Sequence, residues 1–172
     1  VINVTTATPI ATTDLCDAHE DKLAQGTLRV LAPGWLCFGR RVAFHGTAVT
    51  LKLFEDNSLL AQAVKQPGAG HVLVVDAGGS TRCAVLGGNL AMMAVQNRWQ
   101  GVIVFGAVRD ADEIDACDLG VRALALNPRR SVKRGEGQRD IVVGIHGVAV
   151  KPGDWVYADR DGILVSDTAL RS

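Results

Sequence analysis

Residues His71 to Gly106 read HVLVVDAGGSTRCAVLGGNLAMMAVQNRWQGVIVFG. The segment begins and ends in apolar runs, HVLVVDA (71–77) and GVIVFG (101–106). Neither alternates polar with apolar, which is the pattern of a strand buried on both faces in a parallel sheet. Gly78-Gly79 closes the first run. LGGNLAMMAVQNRW then predicts a helix, and because Leu90 to Val95 are apolar nearly all round, a deeply packed one. Strand, helix and strand over about 35 residues make a βαβ unit with a right-handed crossover.

Such a unit brings three chain segments to one edge. The first strand ends at Asp76-Ala77-Gly78-Gly79, the helix starts at Gly87-Gly88-Asn89-Leu90, and the second strand ends just before Arg109-Asp110. In open α/β sheets ligands bind at the carboxyl ends of parallel strands. A helix N-terminus offers unpaired N–H groups to a carboxylate or phosphate, and Gly87 and Gly88 let an anion approach the backbone closely. Arg109 has the planar fork that grips a carboxylate. Asp110 is a hard oxygen ligand for a divalent cation, with water and substrate completing the shell, and a cation beside a carbonyl is a Lewis acid. Taken singly, the double glycine reads as a tight turn and Arg109-Asp110 as a surface ion pair. Their convergence on one edge favours a site.

Outward from this unit, Thr13-Asp14 precedes LCDAHEDKL, a short capped helix. Arg40 to Phe54 alternates as one or two strands around Gly46. Asp56-Asn57-Ser58 caps a helix carrying Leu59, Leu60, Ala63 and Val64, and Gln66-Pro67-Gly68 stops it. A further strand lies near Val121 to Leu126. Arg129 to Asp140, RRSVKRGEGQRD, reads as a solvated basic loop. The remainder, cut at Gly147, Pro152-Gly153 and Asp161-Gly162, reads as three strands joined by tight turns. His45, His71 and His146 fall in or beside strand patterns and read as core or edge histidines. The whole, residues 1–172, is expected to be one compact α/β domain with a βαβ core and a strand-rich C-terminal part, residues 1–12 being a loosely ordered extension.

Composition narrows the function classes. The 172 residues balance 18 basic against 18 acidic side chains, so nothing electrostatic points to nucleic acid or a membrane. Aromatic residues are 5%, so the core is aliphatic. Cys16, Cys37, Cys83 and Cys117 include no CxxC pair, which argues against a zinc site or a disulfide framework and for reduced thiols in the cytoplasm. No apolar run approaches the roughly 20 residues that span a bilayer, and the N-terminal stretch lacks the plan of a signal peptide. The glycines match neither the dinucleotide fingerprint nor the P-loop.

The blocks LFEDNSLL, VLVVDAGGSTRCAVLGGNLA, GVIVFGAVRD, CDLGVRAL, NPRRS and WVYADRDGILVS resemble, in order, the RraA-like family. That family includes the regulator of ribonuclease activity A and the class II 4-hydroxy-4-methyl-2-oxoglutarate aldolases, and some members once carried a menaquinone methyltransferase label. The resemblance runs from about Thr13 to Ser166. It implies a swivelling β/β/α-type domain, assembled as a homotrimer or a hexamer made of two trimers. The aldolase motif is a glycine, twenty residues, Arg-Asp, two residues and an acid, met here by Gly88, Arg109-Asp110 and Glu113.

By that match Gly87, Gly88, Asn89 and Leu90 bind the pyruvyl part of a small 2-oxo acid substrate through backbone amides. Arg109 binds its carboxylate or keto oxygen, and Asp110 ligates Mg²⁺ or Mn²⁺. The implied reaction is retro-aldol cleavage to pyruvate enolate, with oxaloacetate decarboxylation as a second activity. Asn89 stands where some aldolases have an acid, so the proton-transfer group departs from their pattern. The competing reading is a non-catalytic protein that binds and inhibits ribonuclease E. The ribonuclease-regulator branch lacks the aspartate after the arginine, and this chain keeps it. Methyl transfer to a quinone is disfavoured, since no cofactor-binding glycine motif follows the first strand.

Overall fold

The computed structural model describes residues 10–171. Most of the expected N-terminal extension, residues 1–9, and residue 172 lie outside the described residues. In chain order the elements are α1 (Thr12–Ala18), α2 (Glu20–Gln25), β1 (Leu28–Val30), β2 (Leu36–Phe38), β3 (Phe44–Lys52), α3 (Ser58–Val64), β4 (His71–Asp76), β5 (Ala84–Leu86), α4 (Gly88–Gln96), β6 (Gly101–Val108), α5 (Ala111–Asp115), β7 (Gly120–Leu126), β8 (Gln138–Arg139), β9 (Val143–Ile145), β10 (Val148–Val150), β11 (Trp155–Ala158) and β12 (Ile163–Ser166).

The main sheet runs β1-β12-β11-β3-β4-β6-β7-β2, with β5 against β6 and β8 against β3. Its centre, β3-β4-β6-β7, is parallel, and its flanks are antiparallel. The central strands are apolar on both faces because both are covered. Leu73, Val75, Val102 and Val104 face α3, α4 and α5. Val72, Val74 and Ile103 face the β9–β10 hairpin through Val143, Ile145 and Val150. The layers are therefore helices, mixed sheet and hairpin. A third cluster, with Leu15, Leu28, Tyr157, Leu164 and Leu170, seats α1 on the β1 edge.

One alternative is decided and three local expectations change. Arg40 to Phe54 holds one strand, and Gly46 does not break it. A Cβ there would stand 2.5 Å from the Gly70 carbonyl oxygen, so the glycine serves close approach of two backbones. The N-terminal helix is two helices, broken at His19. The C-terminal part holds four strands, because Val143 to Val150 folds back on itself. His146 and Gly147 take φ of 49° and 76°, both positive, as the tightest hairpin turns require. Finally, α4 buries one stripe, Gly88, Ala91 and Ala94, while Met92 remains 51% exposed. Among the described residues no helix is long and apolar enough to cross a membrane, and all four cysteines are free thiols.

Where β6 and β7 begin, Gly101 and Gly120 are register partners. The Phe44 ring occupies the space where their side chains would be. The guanidinium of Arg122, buried at 1% exposure, sits 5.2 Å from the centre of that ring. Its N–H groups donate to the carbonyls of Val42, Val121 and Asp159. Gly120→Ala drives a methyl into the ring and is expected to cost about 1–3 kcal/mol. A thermal melt should then fall by roughly 2–12 °C. An unchanged melting temperature would mean that Phe44 moves aside freely.

Candidate active site

β6 is longer than β4 at its carboxyl end. Pairing with β4 stops at Asp76↔Phe105, and β5 then covers β6 at Ala84↔Ala107 and Leu86↔Val108. The Arg109 amide closes this pairing by donating to the Leu86 carbonyl at 2.9 Å. Arg109 and Asp110 thus emerge beside Gly87, where α4 starts.

Asp110 adopts the left-handed conformation, φ 59° and ψ 49°, and caps α5. For a residue with a Cβ this backbone costs about 1–2 kcal/mol, and such strain concentrates at functional positions. It aims the carboxylate back at α4, where Oδ2 accepts the Gly88 N–H at 2.9 Å. Arg109 Nε lies 4.0 Å from the same oxygen, and both side chains are about two-fifths exposed, at 40% and 39%. One of the amides expected to serve substrate is thereby taken by Asp110. The next two, on Asn89 and Leu90, have no acceptor within the helix.

The two glycines have different jobs. A Cβ on Gly87 would meet Asp110 Oδ2 at 2.8 Å and Arg109 Nε at 3.4 Å, so its bareness makes room for the charged pair. A Cβ on Gly88 would run into Glu113, with its Cδ at 2.8 Å. Gly88 therefore seats the acid of the motif rather than opening a path to the helix.

Gly87, Asn89, Arg109 and Asp110 line a cleft of about 320 Å³ together with Asn57, Lys65, Leu90, Met93, Arg130, Ser131 and Lys133, whereas Gly88 and Glu113 do not line it. Among the described residues that line it, Asp110 is the sole carboxylate. No three His, Cys, Asp or Glu side chains converge anywhere among the described residues. The donor set therefore lacks the cage of side chains that zinc or calcium takes. It fits an Mg²⁺-type cation, which keeps several waters and accepts one or two carboxylates plus substrate oxygens. None of these three histidines reaches the cleft: His45 stacks on Tyr157, His71 shares a 2.7 Å hydrogen bond with Thr47, and His146 lies against Trp35 and Phe105.

The basic stretch 129–136 is the part of the site that sequence reasoning missed. Its side chains are solvated, as expected, except Ser131, but its backbone is pinned as a strap. The Ala84 N–H donates to the Arg129 carbonyl at 2.8 Å, and the Ser131 N–H donates to the Ala84 carbonyl at 3.2 Å. Val132 N–H donates to the Glu55 carbonyl, and Asn57 N–H to that of Val132. Asp56, only 1% exposed, completes the anchor by accepting from the amides of Ser58, Arg134 and Glu136 and from the Ser58 hydroxyl. Burial opposes ionisation of this carboxyl, yet those donors prevail and hold its pKa at about 2. The available signal was that Asn57 and the strap's Arg129-Arg130-Ser131 lie in blocks carrying the family resemblance. A second cleft, of about 470 Å³, lies on the strap's other side around Arg82, Arg129 and Arg134. It contains neither Arg109 nor Asp110, and Glu55 there is paired with Arg82 at 2.5 Å.

The chain matches the RraA-like (Aldolase/RraA) family profile over residues 12–165. It is 57% identical over 159 residues to a protein of Cupriavidus necator provisionally named a 4-hydroxy-4-methyl-2-oxoglutarate aldolase, covering 92% of this chain and 96% of that one. A protein of the same provisional name from Burkholderia pseudomallei is 61% identical over 160 residues, covering 93% and 97%. Among solved structures, the RNA-processing inhibitor RraA from Thermus thermophilis superposes with a TM-score of 0.87 at 42% identity, covering 93% and 94% of the two chains. A structure from Geobacillus kaustophilus described as a 2-dimethylmenaquinone methyltransferase gives 0.88 at 40% identity, covering 93% and 96%.

Removing the Asp56 anchor tests whether the strap is built in. Asp56→Ala leaves two partly buried backbone amides of the strap without their acceptor and is expected to cost about 1–3 kcal/mol. Because the folded pKa lies below the ordinary 3.8, the carboxylate's contribution is fully present above about pH 4 and lost as pH falls through about 2. Parent and variant melting temperatures should therefore differ at pH 7 and converge toward pH 2. A constant difference across that range would assign the effect to packing alone.

Proposed function

As this chain belongs to the RraA-like family, we propose that it is a divalent-metal-dependent aldolase. Its substrate would be 4-hydroxy-4-methyl-2-oxoglutarate or a similar 2-oxo acid, cleaved to pyruvate, with oxaloacetate decarboxylation as a side activity. The observation that carries this reading is the Arg109-Asp110 pair, held at the end of β6 against the first turn of α4. The provisional names of relatives at 57% and 61% identity support it.

Asp110, with a magnesium or manganese ion, and Arg109 divide the work. A bound divalent cation supplies Lewis-acid stabilisation of charge gathering on the 2-oxo oxygen. Asp110 Oδ2 accepts the Gly88 N–H, which fixes the direction of the carboxylate that would hold the ion. Arg109 offers two parallel N–H donors to the substrate's C1 carboxylate and keto oxygen. The amides of Asn89 and Leu90 add fixed dipoles to the same anion. In the cleavage the C4 hydroxyl loses its proton, the C3–C4 bond breaks, and its electrons form the enolate of pyruvate. Protonation at C3 then completes one pyruvate, and the C4 fragment leaves as another. Asn89 carries no titratable group and the cleft's lining offers no acid beyond Asp110, so proton transfer is assigned to water held in the cleft.

The exposed apolar residues Met92, Leu126 and Val132 accord with assembly as a homotrimer or a hexamer of two trimers. Inhibition of ribonuclease E is the second reading, favoured by the likeness to the Thermus RNA-processing inhibitor. The two readings separate at the bench. An aldolase releases pyruvate with Mg²⁺ and stops with a chelator. A regulator slows RNA cleavage by ribonuclease E at stoichiometric amounts and releases no pyruvate.

Asp110→Asn keeps an acceptor for the Gly88 amide and removes the charge. Turnover is expected to fall at least about a hundredfold, roughly 2.7 kcal/mol, with the thermal melt nearly unchanged. Pyruvate release near the parent rate at saturating Mg²⁺ would remove Asp110 from the metal site. Arg109→Lys keeps the charge but not the fork, and a loss of about tenfold or more in kcat/KM is expected. Kinetics within twofold of the parent would leave Arg109 as an ion-pair partner only.

A further inference from the structure

The cleft holds more positive charge than a pyruvyl group needs. Its lining carries four cations, Lys65, Arg109, Arg130 and Lys133, against the single carboxylate of Asp110, in a chain whose net charge is zero. Arg109 is spoken for by the pyruvyl half. Lys65, Arg130 and Lys133 form no ion pair among the described residues. Beside them the Ser131 hydroxyl, a donor, has no hydrogen-bond partner although the residue is only 7% exposed. Buried polar atoms are ordinarily paired, so a hydroxyl left open in the cleft wall points to an acceptor that arrives from outside. The wall is also pre-formed, because the strap is held by its backbone while its cationic side chains remain unpaired.

We propose that Arg130, Ser131 and Lys133 of the strap, with Lys65 at the end of α3, form a second anion subsite that binds the distal C5 carboxylate of a dicarboxylic 2-oxo acid. The inference rests on the aldolase reading of the same cleft and assigns its specificity. Arg109 and the α4 amides take the end shared by all 2-oxo acids. The strap takes the end that differs, and so sets a preference for diacids over monoacids. A cationic wall suits this role. Charge-assisted hydrogen bonds from these cations to the distal carboxylate are lost when the ligand carries no charge there.

The test is a ratio measured in two ways. First, kcat/KM is compared for 4-hydroxy-4-methyl-2-oxoglutarate and for 4-hydroxy-2-oxopentanoate, which lacks the distal carboxylate. Second, calorimetric titration with Mg²⁺ compares 2-oxoglutarate with 2-oxopentanoate, neither of which has the 4-hydroxyl that cleavage requires. The parent is expected to favour the diacid in both. In Lys133→Gln, and separately in Arg130→Gln, the diacid-to-monoacid ratio is expected to fall at least tenfold. A ratio within twofold of the parent's in both variants overturns the subsite, as does a parent that binds the two unreactive acids equally. Both side chains are exposed and the strap is anchored through its backbone, so the variants retain the fold. If the parent cleaves neither hydroxy acid, the aldolase reading fails, while the binding ratio still decides the subsite.

Discussion

The parallel pairing of β6 with β4 on one side and β7 on the other is the constraint from which the rest of the structure follows. Parallel neighbours put their carboxyl ends on one edge, and each connection must climb back over a face as a crossover. The crossover between β4 and β6 is α4, so its N-terminus opens on the edge that carries Asp76 and Arg109. An antiparallel pair would have sent Arg109 to the opposite end of the sheet from the α4 amides. The extra length of β6 refines the arrangement. Three residues, Gly106 to Val108, run past the end of β4 pairing and are covered by the short β5, which lifts the charged pair clear of the sheet while keeping its base buried.

On that edge the molecule separates what must be rigid from what must be free. The strap from Arg129 to Glu136 is fixed by main-chain bonds to Ala84, Glu55 and Asn57 and by the buried carboxylate of Asp56. None of these bonds uses a strap cation. Long Lys and Arg side chains lose about 2 kcal/mol of rotamer freedom when ordered, so leaving them unpaired defers that ordering until an anion is present. The neutral net charge of the chain hides this local excess, because charge in a cleft is set by which segments the topology gathers and not by the sum over the sequence.

What could be read from the sequence follows the range of the interactions involved. The strands and α4 announce themselves through local periodicity, and the edge that carries Gly87 and Arg109-Asp110 follows from chain geometry once the βαβ unit is seen. The run Leu90 to Val95 implies burial of α4 on every side, but periodicity cannot tell a face covered by this chain from one left open, and Met92 is open. The break at Gly147 was legible, but not that the runs on either side pair with each other as separate strands, because each is only three residues long. The strap escaped for a stronger reason. Asp56 binds amides 78 and 80 residues away, and a basic loop looks identical in sequence whether or not a distant carboxylate holds it. Arg122 likewise reads as an ordinary strand arginine until Phe44, also distant in the chain, closes over it.

The fold by itself does not choose between a catalyst and a docking protein, since solved relatives of this architecture at 42% and 40% identity bear quite different descriptions. The choice rests on local details that a docking surface has no use for. Asp110 keeps a left-handed backbone that glycine would adopt without strain. Its side chain is therefore what the position requires. That side chain is pinned at 2.9 Å to a helix amide and packed where a Cβ on Gly87 would intrude. A surface that only had to be charged could place an aspartate on unstrained backbone, with its carboxylate free to move. Strain at one residue, a glycine kept bare at its neighbour and a fixed carboxylate direction together support the proposal that this charge is presented at a defined point, as chemistry on a small anion would demand.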